Sequence, residues 1–510
     1  MTGASASLNA ARRTADMARL ADGEKVDVVV IGGGITGAGV ALDAASRGLR
    51  VALVERRDLA NGTSRWSSKL AHGGLRYLRQ GEFGVAWESA RERHILMTRT
   101  APHLVRALPF VAPLNGAMAP LHGALTEMGI RAGDAMRIAA GTRGAVLPRP
   151  RRISRHEAVR LVPALKPDDL RGAILFWDGQ IEDDARLVIA VARTAAAHGA
   201  MVLTYCEALR AERGLVRVRD VVGGDSFDIA TDHVVNAAGV WAGQLTPRVH
   251  LTPSKGTHAI LPAATLGGPR AALVVPIPNA SARWVGATPT DEGRVIVGVT
   301  DDPYDGAIVD EPRAAKGEVD ALLEVLSLAL RAPVGDDAVV GQFAGFRPLL
   351  AGKSGATADL SRRHAIVADA DSGVITVVGG KLTTYRHMAQ ETVDRLVDTR
   401  ARPCVTARAA LMGAAPHALL RRVPAPQRLV RRYGDEAPAV AAMAGGDASL
   451  LQPVAPGLAP LGVELLFGLR HEGALTVADL LDRRVRLGLV PAERRAAEAM
   501  AAALVQTAAA

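Results

Sequence analysis

Apolar runs and polar breaks alternate most clearly between residues 27 and 55. An apolar, β-branched run is followed by three glycines, a helix of small residues and a second apolar run. This order predicts a strand, a helix and a second strand, which together form one βαβ unit. Gly32, Gly34 and Gly37 have the spacing G-x-G-x-x-G, and Glu55 ends the second strand 21 residues after Gly34. The pattern is typical of a dinucleotide site, with an acid placed to bind a ribose hydroxyl.

Each glycine of this loop has its own predicted task. Gly32 allows the tight turn, Gly34 lets a pyrophosphate approach the backbone, and Gly37 lets the helix and strand pack closely. The positive end of the helix faces the phosphate charge. A plain strand-to-helix turn is the alternative, and the agreement between the glycines and Glu55 disfavours it.

The rest of the chain changes its pattern several times. A helical pattern at residues 183–198 precedes two apolar strands, MVLTY and HVVNAA, and residues 251–345 alternate short apolar runs with Pro and Gly. The alternation in residues 251–345 favours a mainly antiparallel sheet. Further on, GVITVVGGKLTTYR predicts a strand, a glycine pair and a helix, and the last hundred residues are rich in Ala, Leu and Arg.

We therefore predict an α/β chain, α+β overall, with a discontinuous Rossmann-like domain, an antiparallel-sheet substrate domain and a C-terminal helical domain. The predicted divisions are 25–105, 170–250 and 346–400 for the first domain, 106–169 and 251–345 for the substrate or cap domain, 401–510 for the helical domain, and 1–24 for an N-terminal extension.

Composition narrows the class of protein. The chain has 510 residues, of which 49% are hydrophobic and 22% charged, as expected for a globular protein with several domains. Its net charge of +9 could suit a nucleic acid, an anionic membrane face or an acidic substrate. With only 5 Trp, 5 Tyr and 7 Phe, the chain is poor in the platforms on which single-stranded bases stack.

The two cysteines, Cys206 and Cys404, are too few and too far apart for a disulfide scaffold, a CxxC pair or a thiolate zinc site. No metal site is predicted, and a reducing cytoplasm fits best. The N-terminal residues lack the apolar core of a secretory signal, and prolines interrupt the longest uncharged stretch, 107–126. We predict no transmembrane helix.

A second motif, TSRWSSKLAHGGLRYL, follows the ribose-binding acid at residues 63–78. With IGGGITGAG, DDARLV, VVNAAGVWA, KGTHAILP, GVTDD, GFRPLL and VVGGKLTTYR, it resembles the FAD-dependent glycerol-3-phosphate dehydrogenases of the aerobic bacterial type. These enzymes belong to the D-amino-acid-oxidase-like flavoprotein group. The resemblance covers residues 25–400 and a C-terminal block with HEGALTVADLLDRR.

The resemblance implies noncovalent FAD, because neither cysteine lies in a cofactor motif. Gly379 and Gly380 precede a helix, so their backbone N–H groups can face an anion, and the resemblance places them at the pyrimidine edge of the flavin. The implied FAD-binding residues are Gly32, Gly34, Ile35, Thr36, Gly37, Glu55, Thr63, Ser64, Ser67, Ser68, Lys69, Leu70, His72, Ala238, Gly239, Trp241, Gly380, Lys381, Leu382 and Thr383.

The implied reaction is oxidation of sn-glycerol 3-phosphate to dihydroxyacetone phosphate, with hydride transfer to flavin N5. His258 is the expected base, with a pKa near that of imidazole, and Arg347 would polarise the developing carbonyl. His258 could instead be a hydrogen-bond donor that positions the substrate, or a histidine of the core. In that case His72 is the second choice as base. The alternative for Arg347 is a surface ion pair. The implied substrate-binding residues are Arg76, Tyr77, His258, Arg347, Arg362 (or its neighbour Arg363), Lys381 and Thr383.

The resemblance also implies electron transfer to the quinone pool by a cytoplasmic enzyme at the inner face of the cell membrane. The chain has no second dinucleotide fingerprint for a nicotinamide, so oxygen is the alternative acceptor. The amphipathic stretch 121–140 suits either a membrane interface or a buried core. A homodimer is compatible with the sequence. A basic membrane-binding or nucleic-acid-binding protein without catalysis is the competing function, although no nucleic-acid partner is expected.

Overall fold

The computed structural model describes residues 5–74, 77–78, 81–114, 120–278, 280, 283–350, 363–397 and 402–509. The helices in these ranges are α1 (Ala10–Ala21), α2 (Ile35–Ser46), α3 (Phe83–Ile95), α4 (Pro120–Ala139), α5 (Arg155–Leu161), α6 (Asp184–Ala197), α7 (Ala242–Leu245), α8 (Lys316–Ser327), α9 (Tyr385–Leu396), α10 (His417–Leu420), α11 (Gln427–Tyr433), α12 (Ala437–Ala442), α13 (Gly462–His471) and α14 (Pro491–Ala509).

The strands are β1 (Val26–Ile31), β2 (Val51–Glu55), β3 (Leu70–Ala71), β4 (Val105–Pro113), β5 (Arg151–Ile153), β6 (Ala173–Ile181), β7 (Met201–Thr204), β8 (Cys206–Glu212), β9 (Leu215–Asp220), β10 (Ser226–Asn236), β11 (Ser254–Pro262), β12 (Ala272–Pro276), β13 (Trp284–Pro289), β14 (Arg294–Gly298), β15 (Asp302–Pro303), β16 (Gly341–Arg347), β17 (His364–Ala368) and β18 (Ile375–Gly379).

The first sheet has a parallel centre in the order β18-β10-β1-β2-β7. Val30 lies opposite Leu53 of β2 and Val235 of β10, which confirms the predicted βαβ unit and its discontinuous partner strands. Strand β17 adds an antiparallel edge, and the β8–β9 hairpin joins β10. The central strands are apolar throughout because helices and the hairpin cover both faces.

Helices α2, α6 and α9 cover one face of this sheet, and α1 covers the other. Val28 and Val30 of β1 share a core with α2, α6 and α9, whereas Val26 and Val29 pack with Leu20 of α1. This alternation follows from the two-residue period of a strand. The predicted N-terminal extension is therefore packed against the first sheet.

The second sheet has the order β15-β11-β14-β13-β12-β4-β6-β3, with β16 on β11 and β5 on β6. Its pairs are antiparallel except for β12 and β4, in agreement with the predicted antiparallel domain. Strands β3 and β6, which the predicted division assigns to the first domain, both pair within this second sheet. Strand β6 is close in sequence to α6 of the first domain, but its long pairing with β4 places it in the second sheet.

The last hundred residues are helical, as predicted, and buried ion pairs attach them to the first domain. Asp58 accepts hydrogen bonds from Arg483 at 2.6 Å and from Arg484 at 2.6 and 2.8 Å, and all three side chains are buried. Arg186 of α6 pairs with buried Glu472. Burial alone would raise the pKa of Asp58, but Arg484 and Arg483 outweigh it and hold this pKa below the usual range.

Replacing Asp58 by Ala should lower the free energy of unfolding by about 3–5 kcal/mol, because two buried arginines lose their common acceptor. A depressed pKa stabilises the fold above the unfolded-state pKa, so the deficit should shrink as pH falls and wild-type Asp58 becomes protonated. Denaturant unfolding at several pH values measures this. The control Asp232→Ala removes the half-exposed partner of Lys25 and should cost about 0–1 kcal/mol. Equal losses in both variants would contradict the assigned role of Asp58.

Candidate active site

A cleft of about 590 Å³ lies between the two sheets. The carboxyl ends of β1, β2, β10 and β18 form one wall, as expected for a ligand site in a parallel sheet. Strands β11 and β16 of the second sheet contribute Gly256, His258 and Arg347 to the other wall. The parallel wall therefore offers backbone N–H groups together with Glu55 and Lys381, and the antiparallel wall offers His258 and Arg347.

The glycine loop after β1 divides its tasks as the sequence predicts. An added Cβ at Gly32, whose φ is +110°, would lie 2.6 Å from the Ala237 carbonyl oxygen, and one at Gly37 would lie 1.9 Å from the Gly32 carbonyl oxygen. At Gly34 an added Cβ would meet only Ser64 Oγ, at 3.1 Å. Gly34 lines the cleft, while Gly37 does not. Gly37 therefore serves the close packing of helix and strand, and its direct contact with the cofactor stays a prediction.

Glu55 lies at the end of β2, where its carboxylate accepts the Gly33 N–H at 2.6 Å and the Arg57 N–H at 2.8 Å. Burial raises the pKa of this carboxyl above the usual range. Each oxygen already accepts one backbone hydrogen bond, which leaves lone pairs for hydroxyl donors from the cleft. This geometry suits an acceptor for ribose hydroxyls.

The far end of the same wall is formed by the turn after β10. The Asn236 amide donates to the Ala242 carbonyl oxygen at 2.9 Å, and Asn236 Oδ1 accepts the Ala238 N–H at 3.2 Å. These bonds fix the turn that brings Ala238, Gly239 and Trp241 into the cleft. The Arg56 guanidinium lies 5.5 Å from the Trp241 ring centre.

A buried carboxylate, Asp184, organises the segment from Ser67 to Lys69. Asp184 Oδ2 accepts the Ser67 N–H at 2.9 Å, the Ser67 hydroxyl at 2.8 Å and the Lys69 ammonium at 3.1 Å. Burial alone would raise the pKa of Asp184, but Lys69 and Arg486 keep it below the usual range. Ser67 and Ser68 line the cleft, whereas Lys69 turns away from it. The Lys69 ammonium neutralises Asp184, and the cofactor contact of Lys69 stays a prediction.

His258 stands opposite this segment and is 2% exposed. Its Nε2 lies 2.8 Å from Ser68 Oγ, and its ring stacks on Phe343 with 4.5 Å between ring centres. Within the described residues His258 Nδ1 has no hydrogen-bond partner. Burial, together with the positive charges of Lys69 and Arg347, holds the pKa of His258 well below its usual value, although Asp184 opposes this. The expectation of an ordinary imidazole pKa is therefore wrong, and the ring is neutral at physiological pH.

Arg347 extends from the end of β16 across Gly256, where an added Cβ would lie 2.3 Å from a guanidinium nitrogen. It donates to Asp301 at 3.1 Å, to Ser254 at 3.3 Å and to the Thr300 carbonyl oxygen at 3.1 Å. The side chain is 21% exposed and lines the cleft. These contacts place Arg347 in the site wall, which disfavours the interpretation as a surface ion pair.

The glycine pair at the end of β18 forms part of the cleft wall. Gly379 and Gly380 have φ values of +77° and +75°, and an added Cβ at Gly380 would lie 2.4 Å from Met388 Sδ. The following Lys381 donates to Ser89 Oγ at 2.6 Å, and its ammonium lies 3.9 Å from the Tyr77 ring centre. Tyr77 is buried beneath Lys381 and is not among the residues that line the cleft, and its role as a pocket hydroxyl stays a prediction.

The remaining predicted site residues divide into two groups. The structure brings the first group together in the cleft wall: Ile35, Thr36, Thr63, Ser64, Leu70, His72, Leu382 and Thr383. Arg76 and Arg362 fall outside the described residues. The alternative to Arg362, Arg363, is exposed, pairs with Glu82 at 2.8 Å and does not line the cleft. The cysteines Cys206 and Cys404 are likewise absent from the residues that line it.

Sequence comparison agrees with this arrangement. Residues 27–386 match the model of the FAD dependent oxidoreductase family, and residues 404–510 match that of the C-terminal domain of alpha-glycerophosphate oxidase. The chain is 50% identical over 507 residues to glycerol-3-phosphate dehydrogenase 1 of Mycobacterium bovis, covering 98% of both chains. The chain belongs to the FAD-dependent glycerol-3-phosphate dehydrogenase family.

Relatives in this family extend to animals and to solved structures. The probable mitochondrial glycerol-3-phosphate dehydrogenase of Caenorhabditis elegans is 34% identical, over 93% of this chain and 69% of its own. The glycerol-3-phosphate dehydrogenase of Bacillus halodurans, solved in complex with FAD, has a TM-score of 0.75 and 26% identity, covering 98% of this chain and 94% of its own.

The cleft of this flavoprotein fits FAD by its own chemistry. Its volume falls within the range of about 300–1,000 Å³ typical of cofactor sites. The open side of Gly34 is the cradle that a side chain would fill, and Glu55 offers acceptors beyond it. At the other end, the Gly379–Gly380 turn precedes a 3₁₀ turn, Leu382–Thr384, and helix α9, an arrangement that suits the anionic edge of a flavin.

Sequence reasoning missed several residues of this family's site. Asp184 anchors the Ser67–Lys69 segment, Ser89 holds Lys381, and Arg56 flanks Trp241. The DDARLV block, which carries part of the family resemblance, is a signal for Asp184, but only the fold shows that its carboxylate faces Ser67. Ser89 carries no such signal, because it lies within a helix without a motif.

Replacing Gly34 by Val should yield folded protein with almost no bound FAD, because the added side chain fills the space in which a pyrophosphate must approach. Flavin absorbance per protein chain and far-ultraviolet circular dichroism measure this. The control Gly317→Val changes a helix glycine with nothing within 4 Å of an added Cβ and should keep full flavin. Stoichiometric FAD in the Gly34 variant would contradict the assignment of this loop.

Proposed function

We propose that the protein oxidises sn-glycerol 3-phosphate to dihydroxyacetone phosphate, using noncovalently bound FAD. The observation that carries this proposal is the pairing, in one cleft, of a dinucleotide-type wall with a buried neutral histidine and the cations Arg347 and Lys381. The similarity to glycerol-3-phosphate dehydrogenases supports the same substrate. Bound FAD supplies the hydride acceptor, and the chain supplies orientation, charge and a proton acceptor.

The FAD contacts are assigned from the cleft wall. The loop at Gly34 and the start of α2 would hold the pyrophosphate, and Glu55 the ribose. Trp241 would lie beside the adenine. The segment Ser67–Ser68 and the turn at Gly380 would face the flavin ring from two sides. Leu382 and Thr383 follow that turn and complete the same edge of the cleft.

The substrate phosphate would lie against Arg347 and Lys381. A phosphate monoester carries about −1.5 to −2 charges at neutral pH and prefers charged donors in a partly desolvated place. Lys381 is held by Ser89, and Arg347 by Asp301 and Ser254, so both cations have defined positions. Arg347 also lies near enough to His258 to influence its pKa, which suits stabilisation of alkoxide character. Arg76 and Arg362 remain predicted phosphate ligands.

His258 would accept the hydroxyl proton at Nε2, the nitrogen that contacts Ser68 Oγ at 2.8 Å. The proton can arrive directly or through the Ser68 hydroxyl. Because the pKa of His258 is low, the ring is ready to accept a proton at neutral pH and passes it on readily. His72, which also lines the cleft, is the alternative base.

We further propose a quinone as the electron acceptor, reached at a membrane surface. Met128 and Ile138 of α4 are 63% and 51% exposed, while Ile130 and Arg137 of the same helix face the protein. One side of α4 is therefore available for an interface. Among the described helices, none has the length and apolar character needed to cross a bilayer. A homodimer is part of the same proposal, and oxygen is the competing acceptor.

Titration of the purified holoenzyme with glycerol 3-phosphate, without oxygen, should bleach the flavin absorption band. Reoxidation should be fast with a soluble quinone and slow with air alone, because the proposed acceptor is a quinone. Glycerol without phosphate, used as the matched control, should leave the band unchanged at the same concentrations. A colourless protein, or a band that glycerol 3-phosphate leaves intact, would refute the function, and rapid peroxide formation in air would favour the oxidase.

Replacing Arg347 by Ala should lower kcat/KM at least ~30-fold with normal FAD content, since a desolvated charge partner is worth about 2–5 kcal/mol. Arg347→Lys should also be impaired, because an ammonium does not reproduce a planar fork of donors. The control Arg363→Ala, at an exposed ion pair, should stay within about twofold of wild type. Steady-state kinetics and flavin content test this. Wild-type kinetics for Arg347→Ala would contradict a role of Arg347 in substrate binding or catalysis.

Replacing His258 by Ala should slow flavin reduction at saturating substrate by roughly 10² to 10⁴. Because burial and nearby cations depress the wild-type pKa, the wild-type rate should be level near neutral pH and fall only at pH values well below the ordinary titration range of imidazole, as the ring becomes protonated. Stopped-flow reduction across a pH series should show this acidic limb in wild type and in the exposed control His233→Ala. If the limb persists in His258→Ala, the base is His72 or water.

A further inference from the structure

The C-terminal domain contacts the active-site segment through one buried arginine. Arg486, whose backbone φ is +62°, lies between the π-helical turn Asp479–Arg484 and the 3₁₀ turn Leu487–Leu489. Its side chain is 3% exposed. It donates to Asp183 at 3.0 Å and to the Arg65 carbonyl oxygen at 2.5 Å. The guanidinium therefore joins the helical domain to Arg65, just before the segment that carries Ser67 and Ser68, and to Asp183, the residue before Asp184.

Asp184 transmits this contact towards the cleft. The Arg486 guanidinium lies 3.7 Å from Asp184 Oδ1, while Oδ2 holds the Ser67 hydroxyl and the Lys69 ammonium. The Lys69 N–H in turn donates to Ser67 Oγ at 3.0 Å. Ser68 lies between these two residues, and its hydroxyl meets His258 Nε2. A fixed Asp183–Asp184 pair therefore fixes the position of the Ser68 hydroxyl.

The same C-terminal stretch also supports His258 from the opposite side. Leu489 and Val490 pack with Ile260 and Phe343, and Phe343 stacks on the His258 ring. An added Cβ at Gly341 would lie 2.1 Å from the Leu489 carbonyl oxygen, so this contact is close. Residues 486–490 thus contact the supports of both partners in the Ser68–His258 hydrogen bond.

We infer that Arg486 is a positioning residue, which sets the Ser68–His258 geometry through Asp183 and Asp184, and that the C-terminal domain thereby completes the active site. Arg486 does not itself line the cleft. The inference rests on the proposed function for its kinetic consequence, but the effect on segment 65–69 does not depend on the substrate.

The test compares Arg486→Ala and Arg486→Lys with the control Arg193→Ala. Arg193 lies in α6, the helix that begins at Asp184, and pairs with Glu436 of the C-terminal domain at 2.8 and 2.9 Å. It is as buried as Arg486 but has no hydrogen bond to residues 65–69 in the described structure. The control therefore weakens the contact between α6 and the C-terminal domain but does not change the contacts of residues 65–69.

In stopped-flow reduction by glycerol 3-phosphate, Arg486→Ala should reduce the limiting rate by up to about 100-fold, the usual effect of a small misplacement of reacting groups. The apparent substrate affinity should change far less, and flavin content should match wild type. Arg486→Lys keeps the charge but only part of the donor fork, so it should fold and show an intermediate rate. Arg193→Ala should reduce flavin at the wild-type rate despite lower thermal stability.

Hydrogen–deuterium exchange of peptides covering residues 63–72 gives a second readout, measured on each oxidised holoenzyme without substrate. Exchange should be faster in both Arg486 variants and unchanged in Arg193→Ala, because only the former lose the contacts with Asp183 and the Arg65 carbonyl that hold Asp184 and the segment in place. Wild-type exchange and rate in the Arg486 variants would overturn the inference, as would equal effects in Arg193→Ala. If wild-type flavin is not reduced by glycerol 3-phosphate, the proposed function fails, and the exchange comparison still decides the positioning role.

Discussion

A carboxylate removed from water must be matched by cations and hydrogen-bond donors, and Asp184 imposes this requirement at the centre of the molecule. Its partners are Lys69 and Ser67, with Arg486 at a longer distance. These residues come from three regions of the chain, so the first domain, the site segment and the helical domain must all be in place. Because an unpaired buried charge would cost free energy, the Asp184 carboxylate stabilises the contact among these three regions.

The cleft shows how two kinds of sheet share one chemical task. Parallel strands end in turns whose backbone N–H groups point outwards, and glycines at these turns allow close approach of an anion. Antiparallel strands instead present alternate side chains, which is why His258 and Gly256 face the same side of β11. The absence of a side chain at Gly256 leaves the space that Arg347 occupies. The two kinds of strand therefore contribute different groups to the cleft, backbone N–H groups at the parallel turns and the side chains of His258 and Arg347 from the antiparallel strands.

Much of this arrangement follows from local sequence. The glycine loop, Glu55 and the Gly379–Gly380 turn are set by short-range backbone geometry, and their spacing predicts their positions. The directions of Lys69 and Tyr77 do not follow from their motif, because each is decided by a partner distant in sequence, Asp184 or Lys381. The low pKa of His258 results from burial between two cationic residues that only the fold brings together. The place of β6 likewise depends on long-range pairing with β4.

The discontinuity of the first sheet has a consequence for how the chain folds during synthesis. Strand β1 emerges early from the ribosome, but its neighbour β10 pairs with β18, whose register joins Val235 to Ile375. The turn at Gly379 and the anchor at Arg486 are made later still. Contacts of such large sequence separation form slowly, because the connecting chain must be ordered first. The nascent βαβ unit therefore keeps an unpaired strand edge until β10 is made, and β10 keeps one until β18 is made, so binding of the flavin becomes a late step that follows almost the whole fold.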